Sequence, residues 1–165
     1  MRARRGHGRH DRGAAAVEFA LVVPVLFLRV FGIMDYGRLF FDSVSLRQGA
    51  REGARQAVVQ MYAATCTGGT VGAKIACTAR AASDTTMGTP MVYIPAVSGG
   101  WAQGKQLLVC MQSKEQGTGF VPFPAKGIIK TKVYMSIEVE SPGFATGNEG
   151  YNGDSDPTLG GWSWC

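Results

Sequence analysis

Apolar positions change their spacing twice along this chain. From residue 12 to residue 34 (RGAAAVEFALVVPVLFLRVFGIM) they are nearly continuous. A run of about 20 such residues makes about 30 Å of helix, enough to cross a bilayer core, so residues 14–34 are expected to span a membrane. Over residues 35–64 the apolar positions recur at helical spacing: Leu39, Phe40, Phe41, Val44 and Leu46, then an alanine stripe at Ala50, Ala54 and Ala57. The span is therefore expected to continue as an amphipathic helix. From residue 65 onward Gly and Ser recur and the signals become strand-like, at 91–94, 105–112 and 127–141, with period-two alternation through Val133, Met135, Ile137 and Val139. Residues 73–82 suit a short helix. A Gly-rich segment of this size buries only a modest core of its own, so its sheet is expected to lean on the apolar side of the long helix. The fold class is α+β: a long N-terminal transmembrane and amphipathic helix packed against a small antiparallel β-sheet exterior domain.

The polar residues inside this pattern carry the information. Glu18 lies near the start of the span, where a carboxylate costs several kcal/mol unless it meets a partner charge or serves a function. Pro24 removes a backbone donor and predicts a bend near residues 20–24. Arg29 is about 8 Å from the outer end of the span; it either snorkels to the headgroups or pairs with an acid on a neighbouring subunit, since it shares a helical face with Glu18 eleven residues away. Asp35, Arg38 and Asp42 are spaced for ion pairs along the helix. Arg47, Arg51 and Arg55 form a second stripe, in which like charges at i,i+4 would gain from external acids, and they read as an interaction face or a solvated ridge. Gly49 and Gly53 form a GxxxG, which is informative in an apolar 20-mer and carries little weight in a water-exposed helix.

Charge sets the orientation. Arg2, Arg4, Arg5, Arg9 and Arg12, opposed by Asp11, give the head +4 of the chain's net +5. The basic balance therefore belongs to the head and does not argue for nucleic acid as a partner. Basic residues beside the first apolar segment place the head in the cytoplasm and everything after Met34 outside. His7 and His10 are read as solvated rather than metal-bound. A secretory signal peptide is the competing reading, but its core would be shorter and its small-residue site would follow the core. Here the small residues come first.

Gly13-Ala-Ala-Ala-Val-Glu18-Phe19, directly after an arginine-rich head, resembles a type IV prepilin cleavage signal. More narrowly, RGAAAVEFALVVPVL with FGIMDYGRLFFDSVSLRQGAREGARQA resembles the TadE-like minor pseudopilins of tight-adherence (Flp) pilus systems over roughly residues 12–60. Arg29 departs from the aliphatic residue usual there. The resemblance implies a leader over residues 1–13, a cut between Gly13 and Ala14 by a prepilin peptidase, and an assembly role for Glu18 and Phe19. It also implies other pilin or pseudopilin subunits and Tad inner-membrane assembly proteins as partners, and a single-pass protein of the bacterial cytoplasmic membrane, N-in and C-out, or of the pilus itself. No cofactor is called for. The rival readings are an uncleaved, membrane-anchored exterior binding domain and an extracellular enzyme.

Beyond the span, Cys66, Cys77, Cys110 and Cys165 are even in number and in an oxidising compartment, which predicts disulfides. Three connectivities are open, of which Cys66 with Cys77 and Cys110 with Cys165 is preferred. The segment after Met34 has no histidine, which counts against Cys–His and Ser–His–Asp chemistry. Glu138 and Glu140 share a strand face by period two and read as solvated. Asn152-Gly-Asp154-Ser-Asp156 starts like a calcium loop, but Pro157 and Ser163 stand where a turn glycine and a bidentate glutamate are needed, so it reads as an acidic turn. Trp101, Tyr151, Trp162 and Trp164 are read as a lid on the sheet in preference to exposed anchors for a partner.

Overall fold

The computed structural model describes residues 10–98, 100–119, 122–139, 150–151 and 159–165. Its dominant element is one helix, α1 (His10–Val58), which continues through Pro24. It is followed by α2 (Val71–Ala81) and by three strands, β1 (Met91–Tyr93), β2 (Gln106–Lys114) and β3 (Ile128–Ser136). The strands form an antiparallel sheet in the order β1-β2-β3, with Val92 opposite Met111 and Val109 opposite Val133. The α+β class and the small antiparallel sheet are thus as read from the sequence.

The helix stops earlier than its alanine-rich composition suggested, at Val58 rather than residue 64. Gln60 adopts φ 57°, its N–H bonds to the Ala57 carbonyl at 3.1 Å and the Met61 N–H reaches back to the Gln56 carbonyl at 2.9 Å. This pair of bonds is a Schellman closure. It satisfies the last carbonyls without a glycine, so composition gave no stop signal. α2 begins at Val71 because the Thr70 hydroxyl accepts from the Ala73 N–H at 3.2 Å and caps the helix.

β3 is also shorter than its alternating pattern. The strand ends at Ser136, opposite Gln106, because β2 begins there, just after a turn. Glu138 consequently lies past the strand and is exposed, while Glu140 lies outside the described residues. So does the Asn152–Asp156 stretch.

Alternation places Leu107, Val109 and Met111 of the central strand on the face that meets α1, together with Val92, Val133 and Met135. From α1 this core receives Leu46, Ala50, Ala54 and Ala57, and from α2 Ile75, Ala76 and Ala79. The two helices approach closely because their contact is made of small residues. A Cβ on Gly49 would lie 2.6 Å from the Ala79 carbonyl oxygen, and one on Gly53 would lie 2.7 Å from Ala79 Cβ. The GxxxG discounted on sequence grounds is therefore the seat of α2.

The opposite face of the sheet is covered by the C-terminus. Cys110 is joined to Cys165 with a Cα–Cα distance of 6.1 Å. Trp162 stacks on Tyr93 at 5.3 Å, and Lys130 sits over the Trp164 ring at 5.4 Å. Trp101 is buried in the core and donates from Nε1 to the Val139 carbonyl at 3.0 Å. Tyr151 pairs with Ile94 as an isolated bridge and accepts from Arg80 at 2.9 Å. The second disulfide, Cys66–Cys77, ties the segment after α1 to α2 across a Cα–Cα distance of 5.7 Å.

Candidate functional site

α1 divides lengthwise into two parts. From Gly13 to Met34 it is largely exposed: Phe19 is 70% exposed, Leu21 72% and Ile33 75%, and the most apolar stretch has no buried residue. This is one N-terminal apolar helix long enough for a single-pass membrane anchor. From Asp35 onward one side is covered by the outer domain. Asp35, Asp42, Leu46, Gly49, Ala50, Gly53, Ala54 and Ala57 are buried there.

Beside that covered side an exposed stripe is left, broken at Tyr36 and Ala54, which share the azimuth of Glu18 but meet the outer domain. At about 100° per residue, Glu18, Arg29, Phe40, Val44, Arg47, Arg51 and Arg55 fall within an arc of about 100°, over about 55 Å of axis. All seven are exposed. Gly13, Ala14 and Phe19 are exposed as well. Glu18 and Arg29 share this stripe but lie about 16 Å apart along the axis, so neither neutralises the other within one chain. Around Arg29 the helix surface has a shallow apolar hollow of about 450 Å³, bounded by Leu28, Ile33 and Tyr36.

The arginine ridge is not uniform. Arg55 holds Glu52 through two contacts, at 2.8 and 3.0 Å, and Gln56 adds a third at 2.6 Å. The Arg55 contact first, then Gln56, bring the Glu52 carboxyl down to about 2. Part of the like-charge repulsion is therefore relieved inside the chain, a point that spacing among the arginines alone did not reveal. Arg51 and Arg55 also border a groove of about 690 Å³ whose far wall is Lys132, Tyr134 and Met135 of β3. Among the described residues no group of three or more metal-ligating side chains is assembled.

Asp35 and Asp42 were expected to form ion pairs with Arg38. Both are instead fully buried, and Arg38 is exposed. Asp35 accepts from the Thr118 hydroxyl at 2.6 Å and from its N–H at 3.2 Å. Asp42 accepts from the Thr86 N–H at 2.8 Å, the Thr86 hydroxyl at 3.0 Å and the Met87 N–H at 3.0 Å. Loop donors oriented by the fold outcompete a flexible, hydrated guanidinium. These two acids fasten the loops of the outer domain to the helix. A usable signal was present: Asp35, Asp42 and Gly49 recur every seven residues, which puts them near one face.

Residues 13–55 match the family model described as TadE-like protein. This segment is similar to TadE-like proteins. The match ends three residues before α1 does and takes in none of the sheet, so it covers the anchor and the two-sided helix and leaves the outer domain unassigned. No curated protein and no solved structure matches the chain.

Proposed function

We propose that this chain is a minor pseudopilin or assembly subunit of a tight-adherence (Flp) pilus, cut by a prepilin peptidase between Gly13 and Ala14. Residues 1–13 are then a cytoplasmic leader, 14–34 the span, 35–64 its helical extension with the turn that follows, and 65–165 the exterior domain, with the chain N-in and C-out in the cytoplasmic membrane. The observation that carries this reading is the set of exposed residues from Glu18 to Arg55 along one stripe of a TadE-like helix, whose own outer domain covers another side from Asp35 onward. Such a surface suits side-by-side packing with the helices of other pilin or pseudopilin subunits and Tad inner-membrane proteins.

In that packing each residue has a role. Cleavage makes Glu18 the fifth residue of the mature chain, where it neutralises the new amino terminus of a neighbour. A buried ion pair of this kind sets axial register more than it adds stability. Phe19 fills the adjoining apolar contact. Arg29 meets an acid on a neighbour, and Arg47, Arg51 and Arg55 face acids on partners beyond the bilayer.

Intact mass with N-terminal mapping of protein from membranes tests the cut. A mature chain beginning at Ala14 is expected, and a bulky residue in place of Gly13 should leave the leader attached. Retention of the leader in the unaltered protein would favour an uncleaved, membrane-anchored binding domain. Glu18→Gln should still be processed and inserted, yet co-purify poorly with other pilins, with pili reduced or absent. Association at the unaltered level would move the assembly contact to Arg29 or the arginine ridge.

A further inference from the structure

One buried carboxyl group is left unexplained by the assembly stripe. Glu115 follows β2 directly and is 3% exposed; its carboxyl oxygens form no hydrogen bond of good geometry, and the neighbouring Ser113 hydroxyl, which favours the charged form, acts more weakly than burial and Asp42, which oppose it. Glu115 faces Asp42, which three loop donors already hold as an anion. Asp42 Oδ1 accepts two of those bonds and Oδ2 one, so a carboxylate with about four lone-pair sites has one left. Two ionised carboxylates cannot occupy such a site without a large repulsion.

Among the described residues the surroundings offer no cation to relieve it. From β2 the Ser113 hydroxyl is buried beside Glu115, and the segment containing Gly88 is pressed so closely that a Cβ there would collide with Ser113 Oγ and lie 2.9 Å from Glu115 Oε1. From the turn before β3 the Gly127 carbonyl takes the Glu115 N–H at 2.9 Å. Asp35, on the same side of α1, is bonded to Thr118. Asp84, Lys114 and Lys126 on the flanking segments are exposed.

We propose that Asp42 and Glu115 share a single proton that closes the seam between α1 and the outer domain, and that losing this proton opens the seam. Glu115 carries the proton and donates it to the remaining lone pair of Asp42. Burial first, then Asp42, push the Glu115 carboxyl up to about 7, whereas burial of Asp42 is outweighed by Thr86, Glu115 and Met87, which hold it low. The assignment follows from the donor count around the two acids and does not depend on the pilus reading. Its consequence is a helix-to-domain joint that loosens as the exterior becomes alkaline, with the segments around Thr86 and Thr118 released from α1.

The test is amide hydrogen exchange on the full chain in detergent micelles, with protection factors corrected for the intrinsic pH dependence. With the Glu115 carboxyl near its ordinary 4.5 once the seam is open and about 7 when it is closed, the protection of Thr86 and Met87 should fall roughly seventyfold between pH 5 and pH 8. Glu115→Gln, which keeps a donor and cannot ionise, should hold that protection level across the range. Should the variant fail to fold, the Glu115 side-chain carboxyl carbon can be titrated by NMR in the unaltered protein, with a midpoint near 7 expected. Flat protection in the unaltered chain, or a midpoint below 5, overturns the proposal. So does recovery of full protection at pH 8 on adding calcium, which would make the pair a cation site.

Discussion

Replacing Gly49 by alanine tests whether the two helices are held at their observed separation by the absence of a side chain. The new Cβ would lie 2.6 Å from the Ala79 carbonyl oxygen and 2.7 Å from Ser83 Cβ. The first of these is backbone, so no rotamer change relieves it, and α2 must retreat by about 1 Å to restore an ordinary contact. Overpacking of this kind costs about 1–3 kcal/mol. Against it stands the better helix propensity of alanine, about 1 kcal/mol. The net expectation is a loss of up to about 2 kcal/mol, or up to roughly 8 °C in the melting temperature of a chain of this size. Gly37 supplies the control, since it lies on the same helix and a Cβ there meets nothing within 4 Å. Thermal unfolding of the detergent-solubilised chain, followed by the near-ultraviolet circular dichroism of its aromatic residues, should show Gly49→Ala melting clearly below Gly37→Ala. If the two variants melt together, the close approach of α1 and α2 is not what Gly49 provides.

Other measurements probe the rest of the outer domain. Removing the Cys110–Cys165 bridge, which closes 55 residues, should cost about 4 kcal/mol against about 3 kcal/mol for Cys66–Cys77 over 11 residues. Only the former should also change tryptophan emission, because Trp162 would leave Tyr93; an equal spectral change from both would refute the tail's role as a cover. The pH dependence of stability has a definite sign. Glu115 is raised from 4.5 to about 7 in the folded state, so its favourable contribution is complete below 4.5 and is lost as the pH rises through 7, a fall of about 3 kcal/mol. Urea unfolding at pH 5 and pH 8 reads this directly, and a chain more stable at pH 8 would contradict it.

What the amino-acid order determined unaided were the features that repeat within a few residues. The apolar run of the span, the helical recurrence beyond it, the alternation in β3 and the odd placement of Glu18 and Arg29 all follow from spacings that a helix or strand imposes on its own residues. The alignment of Glu18, Arg29 and the arginine ridge on one face is likewise a matter of helical arithmetic. Whether that face is open was not. It depends on where α2 and the sheet settle, and α2 settles on Gly49 and Gly53, whose missing side chains count only when another backbone arrives.

Asp35 and Asp42 show the same division. Their neighbours in sequence suggested Arg38, but their partners are Thr118 and Thr86, 83 and 44 residues away. Glu115 has no sequence signature at all, since its unusual proton affinity comes from an acid on a distant helix and from the water its burial excludes. Even the ends of elements divided this way. Thr70 announces the start of α2 through its own hydroxyl, whereas β3 stops where β2 ceases to offer a ladder partner, and α1 stops at a left-handed Gln60 that no glycine marks. Local periodicity is written into neighbouring residues, while burial, charge pairing and termination depend on which distant backbone and side-chain atoms arrive to displace water.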